Sequence, residues 1–268
     1  MEEEKLLEGE STSWLERRIL VTVKTYPTPS QKDVETSCTA GITDDGSFIR
    51  LYPVPFRLLE ENKKFKRYSW IRVPVRKARS DSRPESHTPD YEALVVEGEV
   101  DTKRNWAERK RLILPLLAPS MEDLRDRCAR DRTSLGIIKP REITGFSWKD
   151  TEPPDWTPSQ LARLQQMKLG QRELVQLEKI PKEFRYTFVC DDITCTGHDM
   201  QVFDWEIAQA YRSWRRRYPD PTEFERAFMT RFRDQMIGEL DTHFFVGTMS
   251  NHPTTWTIIG LFYPKKHQ

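Results

Sequence analysis

The stretch 18–57, RILVTVKTYPTPSQKDVETSCTAGITDDGSFIRLYPVPFR, decides the fold class. Its opening run, 18–26, alternates and is rich in β-branched side chains, the pattern of a half-buried strand. Residues 36–42 (TSCTAGI) and 47–53 (SFIRLYP) flank Asp44-Asp45-Gly46, turn chemistry between two strand-like runs, which predicts a β-hairpin. Working outward, 68–76 carries Trp70, Ile71, Val73 and Val75, and 93–100 supplies a further strand. Between them, 77–91 holds Ser80, Ser82, Pro84, Ser86 and Pro89 and reads as a loop. Short strands separated by turns and prolines suit a small barrel or a strongly curved sheet.

Helical patterning follows. Residues 105–117 form a candidate helix, and Ser120-Met121-Glu122-Asp123 is a capping box opening a charged helix through 130. Residues 134–139 (SLGIIK) and 142–148 return to strand pattern, so a second β unit is completed from distant segments. Thr157-Pro158-Ser159-Gln160 caps another helix, with Leu161, Leu164 and Met167 on one face. After a strand at 184–189, residues 203–218 are amphipathic, with Trp205, Ala208, Tyr211 and Trp214 on the apolar stripe. Asp220-Pro221-Thr222-Glu223 then opens a helix striped by Phe224, Phe228, Phe232 and Met236. Two strands, 243–249 and 255–262, flank the turn Ser250-Asn251-His252-Pro253.

Composition narrows the function classes. The longest apolar run, 112–118, is broken by Pro115 and falls far short of the roughly 20 residues that span a bilayer. With four cysteines and no hydrophobic opening segment, a disulfide framework is not expected; the reading is a soluble, cytoplasmic protein with free or metal-bound thiols and no membrane partner. Basic residues number 43 against 42 acidic, so attraction to a polyanion must come from local charge segregation. The glutamate-rich opening lacks periodicity, and 1–17 is expected to be a flexible acidic tail. P-loop, GxSxG, Rossmann glycine and HExxH motifs are all missing, which argues against the commonest ATPase, hydrolase, dehydrogenase and zinc-protease chemistries.

Residues 190–198, CDDITCTGH, pack two thiols and an imidazole into nine positions, three quarters of a tetrahedral zinc site on Cys190, Cys195 and His198. The fourth donor is open among Cys38, Cys128, His243, Asp199, Asp204 and water. The competing reading makes Cys190 a small buried hydrophobe ending a strand. Downstream, His198, Asp204 and Glu206 are the candidates for a hydrolytic metal site, although residues two apart on a helix diverge unless Asp204 precedes the regular helix. The same acids would also complement the helix dipole, as would Arg215, Arg216 and Arg217 at the other end. Those three arginines, and Arg50, Arg57 and Arg72 interleaved with Tyr52 and Trp70, are the candidates for phosphate contact.

The order of KTYPTPS (24–30), CTAGITDDGSFIRLYPVPFR (38–57), SLGIIKP (134–140) and the knuckle followed by Asp204-Trp205-Glu206 resembles a bacterial family whose domain is called the dual OB-containing domain. The resemblance runs over about 18–211. It implies two OB-like β-barrels and a prokaryotic setting in defence or mobile-element loci, where OB units contact nucleic acid; OB folds also bind proteins and sugars. The expected architecture is α+β: a tail (1–17), tandem OB-like units with helical insertions (18–180), and a C-terminal part with knuckle, two helices and terminal hairpin (181–268). The expected function is a non-enzymatic nucleic-acid-binding module with zinc as candidate cofactor. The alternatives are a metal-dependent nuclease or phosphoesterase and a protein-interaction adaptor.

Overall fold

The computed structural model describes residues 13–30, 34–165 and 176–266 and is α+β. Strands β1 (Leu15–Lys24), β3 (Glu35–Thr43) and β4 (Phe48–Val54) pair antiparallel in that order, and β2 (Thr28–Pro29) pairs with the start of β3. Gly46 turns the β3–β4 hairpin at φ +85°, a left-handed conformation that glycine adopts without penalty. β5 (Ser69–Lys77) returns to β1, and β6 (Ser86–Pro89) lies between β4 and β5, parallel to the first and antiparallel to the second. The ring β1-β3-β4-β6-β5 therefore closes on itself as a five-stranded barrel of OB-like order. β7 (Val95–Glu99) extends β5 outside the ring and leads to helix α1 (Lys103–Ile113). Ile19, Val21, Ile49, Leu51, Phe65, Ile71 and Val73 fill the interior.

Two expectations shift here. The closing strand β6 comes from the segment read as a loop, because Ser-His-Thr-Pro carries no apolar alternation and joins the barrel through its backbone. Leu15, Glu16 and Arg17, expected in the tail, pair with Val75, Pro74 and Val73; of the rest of that tail, 1–12 lie outside the described residues.

The second sheet runs β10 (Glu142–Asp150), β11 (Lys182–Val189), β12 (His198–Val202), β14 (Trp256–Phe262), β13 (His243–Thr248), β9 (Leu135–Ile138), β8 (Leu117–Ala118), with no pairing joining its ends among the described residues. Its strands come from both sides of residue 180, and the break between the two β units falls just before Leu117. A linear reading cannot see that β9 pairs with β13, more than a hundred residues away. Helices α2 (Met121–Asp131), α4 (Trp205–Arg217), α5 (Pro221–Met229) and the π-helical run Thr230–Glu239 contribute to the core on this sheet. The stripe Phe224, Phe228, Phe232, Met236 is buried there as its spacing predicted. Helix α3 (Pro158–Gln165) starts at the Thr157–Gln160 box, with Gln160 N donating to Thr157 Oγ1 at 3.3 Å; Met167 of its expected face lies outside the described residues.

A third apolar cluster joins the two units. Leu20, Val23, Ala40 and Ile42, on the outside of the barrel, pack with Leu135, Ile137, Phe245, Ile259 and Phe262 of the second sheet. Each such side chain contributes about 1.5–3 kcal/mol when fully buried, so the seam is a core in its own right. It also covers Ala40 and Ile42 of β3 and packs Phe48 of β4, on the face through which OB barrels take oligonucleotides.

Candidate functional site

The knuckle is built by the end of β11, the turn 190–197 and the first residue of β12. Gly197 adopts φ +97° and lets the chain fold back so that His198 returns toward the two thiols. The Nε2 atom of His198 lies 3.3 Å from Cys195 Sγ and 3.1 Å from Glu122 Oε1, and the backbone N–H of Cys190 donates to Cys195 Sγ at 3.2 Å. Donor atoms of Glu122, Cys190, Cys195 and His198 all lie within 4.8 Å of one another. This set can hold a metal ion. The Oε2 atom of Glu122 is buried without a hydrogen-bond partner, an acceptor whose satisfaction a cation would supply.

The fourth member was not among the sequence candidates. Glu122 sits in the first turn of α2, and Ser120, which caps that helix by accepting from Asp123 N at 3.1 Å, also donates to Asp192 Oδ2 at 2.9 Å. Helix start and knuckle are thus tied together; the only sequence signal was a carboxylate inside a capping box. The other candidates lie elsewhere: Asp199 pairs with Arg185, Asp204 with Arg67, His243 bonds the Asp241 carbonyl, Cys128 the Pro253 carbonyl, and Cys38 sits on β3 of the barrel. Burial pushes the Cys190 thiol up to about 12 and holds His198 below the usual imidazole range, so both start neutral and a bound cation would have to displace the Cys190 proton.

Asp204 and Glu206 belong to a different site. Asp204 does precede the helix, as the N-cap of α4, accepting from Glu206 N at 2.7 Å and Ile207 N at 3.2 Å. Its other oxygen takes a 2.8 Å ion pair from Arg67, and the residue is 0% exposed. Burial pushes its carboxyl up to about 6, while Arg67 and the two amides pull the other way. Glu206 receives Arg67 Nη1 at 3.1 Å and Tyr263 Oη at 3.0 Å. His198 shares none of these partners, so the trio expected for a hydrolytic metal does not assemble.

The six phosphate-facing candidates separate sharply. Arg50 is only 2% exposed and spends its guanidinium on Ser86 Oγ, Ser134 Oγ and the Ser134 carbonyl, bolting β4 to the second unit; burial removes it from any phosphate-binding surface. Arg57 is mostly buried and pairs with Glu35 at 3.0 Å. Arg215 and Arg216 share one carboxylate, Glu178, at 2.7 and 2.9 Å, and Arg217 packs on Tyr218. Arg72 remains outward, flanked by Glu97 and Glu16.

Around Arg72 the structure brings together residues the sequence left scattered. The outer side of β1 and β5 carries Arg18 over the Trp70 ring at 4.2 Å and Arg76 over the Trp14 ring at 4.7 Å, with Arg72 opposite Arg18 in the strand register. Trp14 is 44% exposed, an indole left in solvent beside a guanidinium. It was hidden in the expected tail.

Residues 15–115 match the family model described as a domain of unknown function (DUF8758), and residues 117–268 match that described as a domain of unknown function (DUF8757). The latter covers more than half of the sequence, and the chain belongs to the DUF8757 family. The border between the two matches coincides with the break between the two β units. No curated protein matches the chain. Among solved structures it is similar to the crystal structure of the tetrameric p202 HIN2, with 10% identity, a TM-score of 0.31, and coverage of 97% of this chain and 96% of that one. That likeness is too distant to carry an argument. No helix among the described residues is long and apolar enough to cross a membrane.

Proposed function

We propose that this protein binds single-stranded nucleic acid along the open side of its barrel, over Trp14, Arg18, Trp70, Arg72 and Arg76. The observation that carries the reading is the pair of guanidinium-on-indole contacts on the outer side of β1 and β5, with Trp14 exposed and Trp70 half-buried. Single-strand binders combine flat rings, on which bases stack, with cations that track phosphates, and arginine over an indole presents both at one spot. A closed barrel gives such a row rigid support. The OB-like character of the second unit and the defence setting rest on the family resemblance alone.

For the Glu122, Cys190, Cys195 and His198 cluster we infer zinc. Two thiolates, one imidazole and one carboxylate form a four-donor set suited to tetrahedral coordination with no position left for substrate, which makes the role structural: pinning the start of α2 to the knuckle. Metal content after purification without chelator is expected at one zinc per chain, and removal is expected to lower the unfolding temperature by about 5–10 °C. A chain that carries no metal, or a chelator that leaves unfolding unchanged, would contradict it.

The test of the main reading is fluorescence anisotropy of a labelled oligonucleotide of about 12 nucleotides over a salt series. Exchanging Arg72 and Arg76 for glutamate is expected to weaken binding by at least about tenfold and flatten the salt dependence. Unaltered affinity and slope would move the function off this surface.

A further inference from the structure

A cavity of about 600 Å³ opens where the barrel meets α4 and the end of β14, lined by Lys24, Arg67, Trp106, Arg109, Trp205 and Glu206 among others. Its volume is that of a small-molecule site. We propose that this cavity binds a ligand of the mononucleotide class, its ring held against the indoles and its phosphate by Lys24, Lys66 and Arg109.

Charge supplies the first argument. The lining sets four cations, Lys24, Lys66, Arg67 and Arg109, against two carboxylates, Glu99 and Glu206, and Asp204 behind Arg67 takes up one further positive charge. The remaining excess calls for an anion. Arg67 is wholly buried, anchored by Asp204, Tyr68 Oη and the Leu261 carbonyl, yet its Nε has no hydrogen-bond partner. An unmet buried donor on a charged group works against folding and is tolerated where something else supplies an acceptor.

The second argument is the arrangement of rings and backbone. Arg109 lies 3.9 Å over Tyr68 and 4.9 Å from the Trp106 ring, while Lys24 Nζ sits 3.6 Å from the Phe56 ring and 4.8 Å from that of Trp205. Burial pulls the Lys24 ammonium down to about 8. Trp106 reaches the cavity from a run, Arg104 to Trp106, whose three residues hold φ between +47° and +61°, a left-handed turn that side chains with a Cβ adopt only at a cost. A desolvated lysine and a left-handed turn both work against folding, and both meet at this cavity.

The experiment titrates the whole chain with AMP, CMP, GMP and UMP, reading tryptophan fluorescence and thermal unfolding, with adenosine and inorganic phosphate as controls. No oligonucleotide is present, so failure of strand binding and failure of this site are distinguishable. At least one mononucleotide is expected to bind with a Kd below about 1 mM and raise the unfolding temperature, with adenosine and phosphate at least about tenfold weaker. Lys24→Met, which keeps the stem volume, is expected to weaken binding by about tenfold while unfolding no earlier than the parent in the absence of nucleotide. Lys66→Ala, on the exposed rim, tests the same phosphate with little risk to folding and is expected to lose about threefold. The proposal is overturned if no mononucleotide shifts unfolding at about 10 mM, if phosphate alone binds as tightly, or if both variants keep the parent affinity.

Discussion

Arginine does opposite work in two regions of this molecule. At the seam between the β units, Arg50, Arg67 and Arg83 are buried, and each bonds across it: to Ser134, to Asp204 and the Leu261 carbonyl, and to the Thr248 carbonyl. On the open side of the barrel, Arg18, Arg72 and Arg76 lie over indoles or beside exposed carboxylates, where screening keeps each ion pair worth under about 1 kcal/mol. The first group is committed to the fold; the second stays exchangeable for phosphate. A count of basic residues therefore overstates the surface available to a polyanion, and what matters is which guanidiniums the second unit covers.

The largest effect is expected at the seam. Asp204→Ala leaves buried Arg67 with only the half-exposed Glu206 as counter-charge and removes the cap of α4, costing about 3–5 kcal/mol by urea denaturation. Asp204→Asn, which retains the cap, should cost measurably less. A loss below about 1 kcal/mol for the alanine variant would erase the distinction between the two regions. Next, Arg50→Met should cost about 2–3 kcal/mol through loss of its hydrogen bonds to Ser86 and Ser134 across the seam, yet leave strand affinity intact in the folded protein.

A third variant acts in the other direction. The folded-state pKa of Lys24, about 8, lies below its ordinary 10.5 because of burial. The unfolded chain therefore holds more protons between those values, and parent stability attributable to this group rises from pH 8 to 10.5. Lys24→Met should stabilise the protein by about 1–3 kcal/mol at pH 7, with the advantage gone near pH 10.5, as denaturation at both pH values would show. The smallest change is expected from Arg72→Ala, within about 0.5 kcal/mol in stability despite its weakening of strand binding.

Much of the scaffold was legible because it is written in local chemistry. The Asp-Asp-Gly hairpin, the caps at Ser120, Thr157 and Asp220, and the four-residue phenylalanine stripe each use neighbours within a few positions. Barrel closure was not, since β6 offers backbone rather than an apolar pattern. The knuckle triad stood out in sequence, but Glu122 lies 68 or more residues from its partners and reaches them only through the docking of α2. Of the two readings of Asp204, metal ligand or helix-start acid, the structure has it capping α4, and what its position in the chain could not reveal is Arg67 across the seam.

The central claim is that strands bind the open side of the barrel and not the arginines elsewhere. Photocross-linking a bromouracil-containing single strand and mapping the attached peptides tests it directly. The account predicts adducts on peptides carrying Trp14 and Trp70; adducts confined to the segment of Arg215, Arg216 and Arg217 would contradict it.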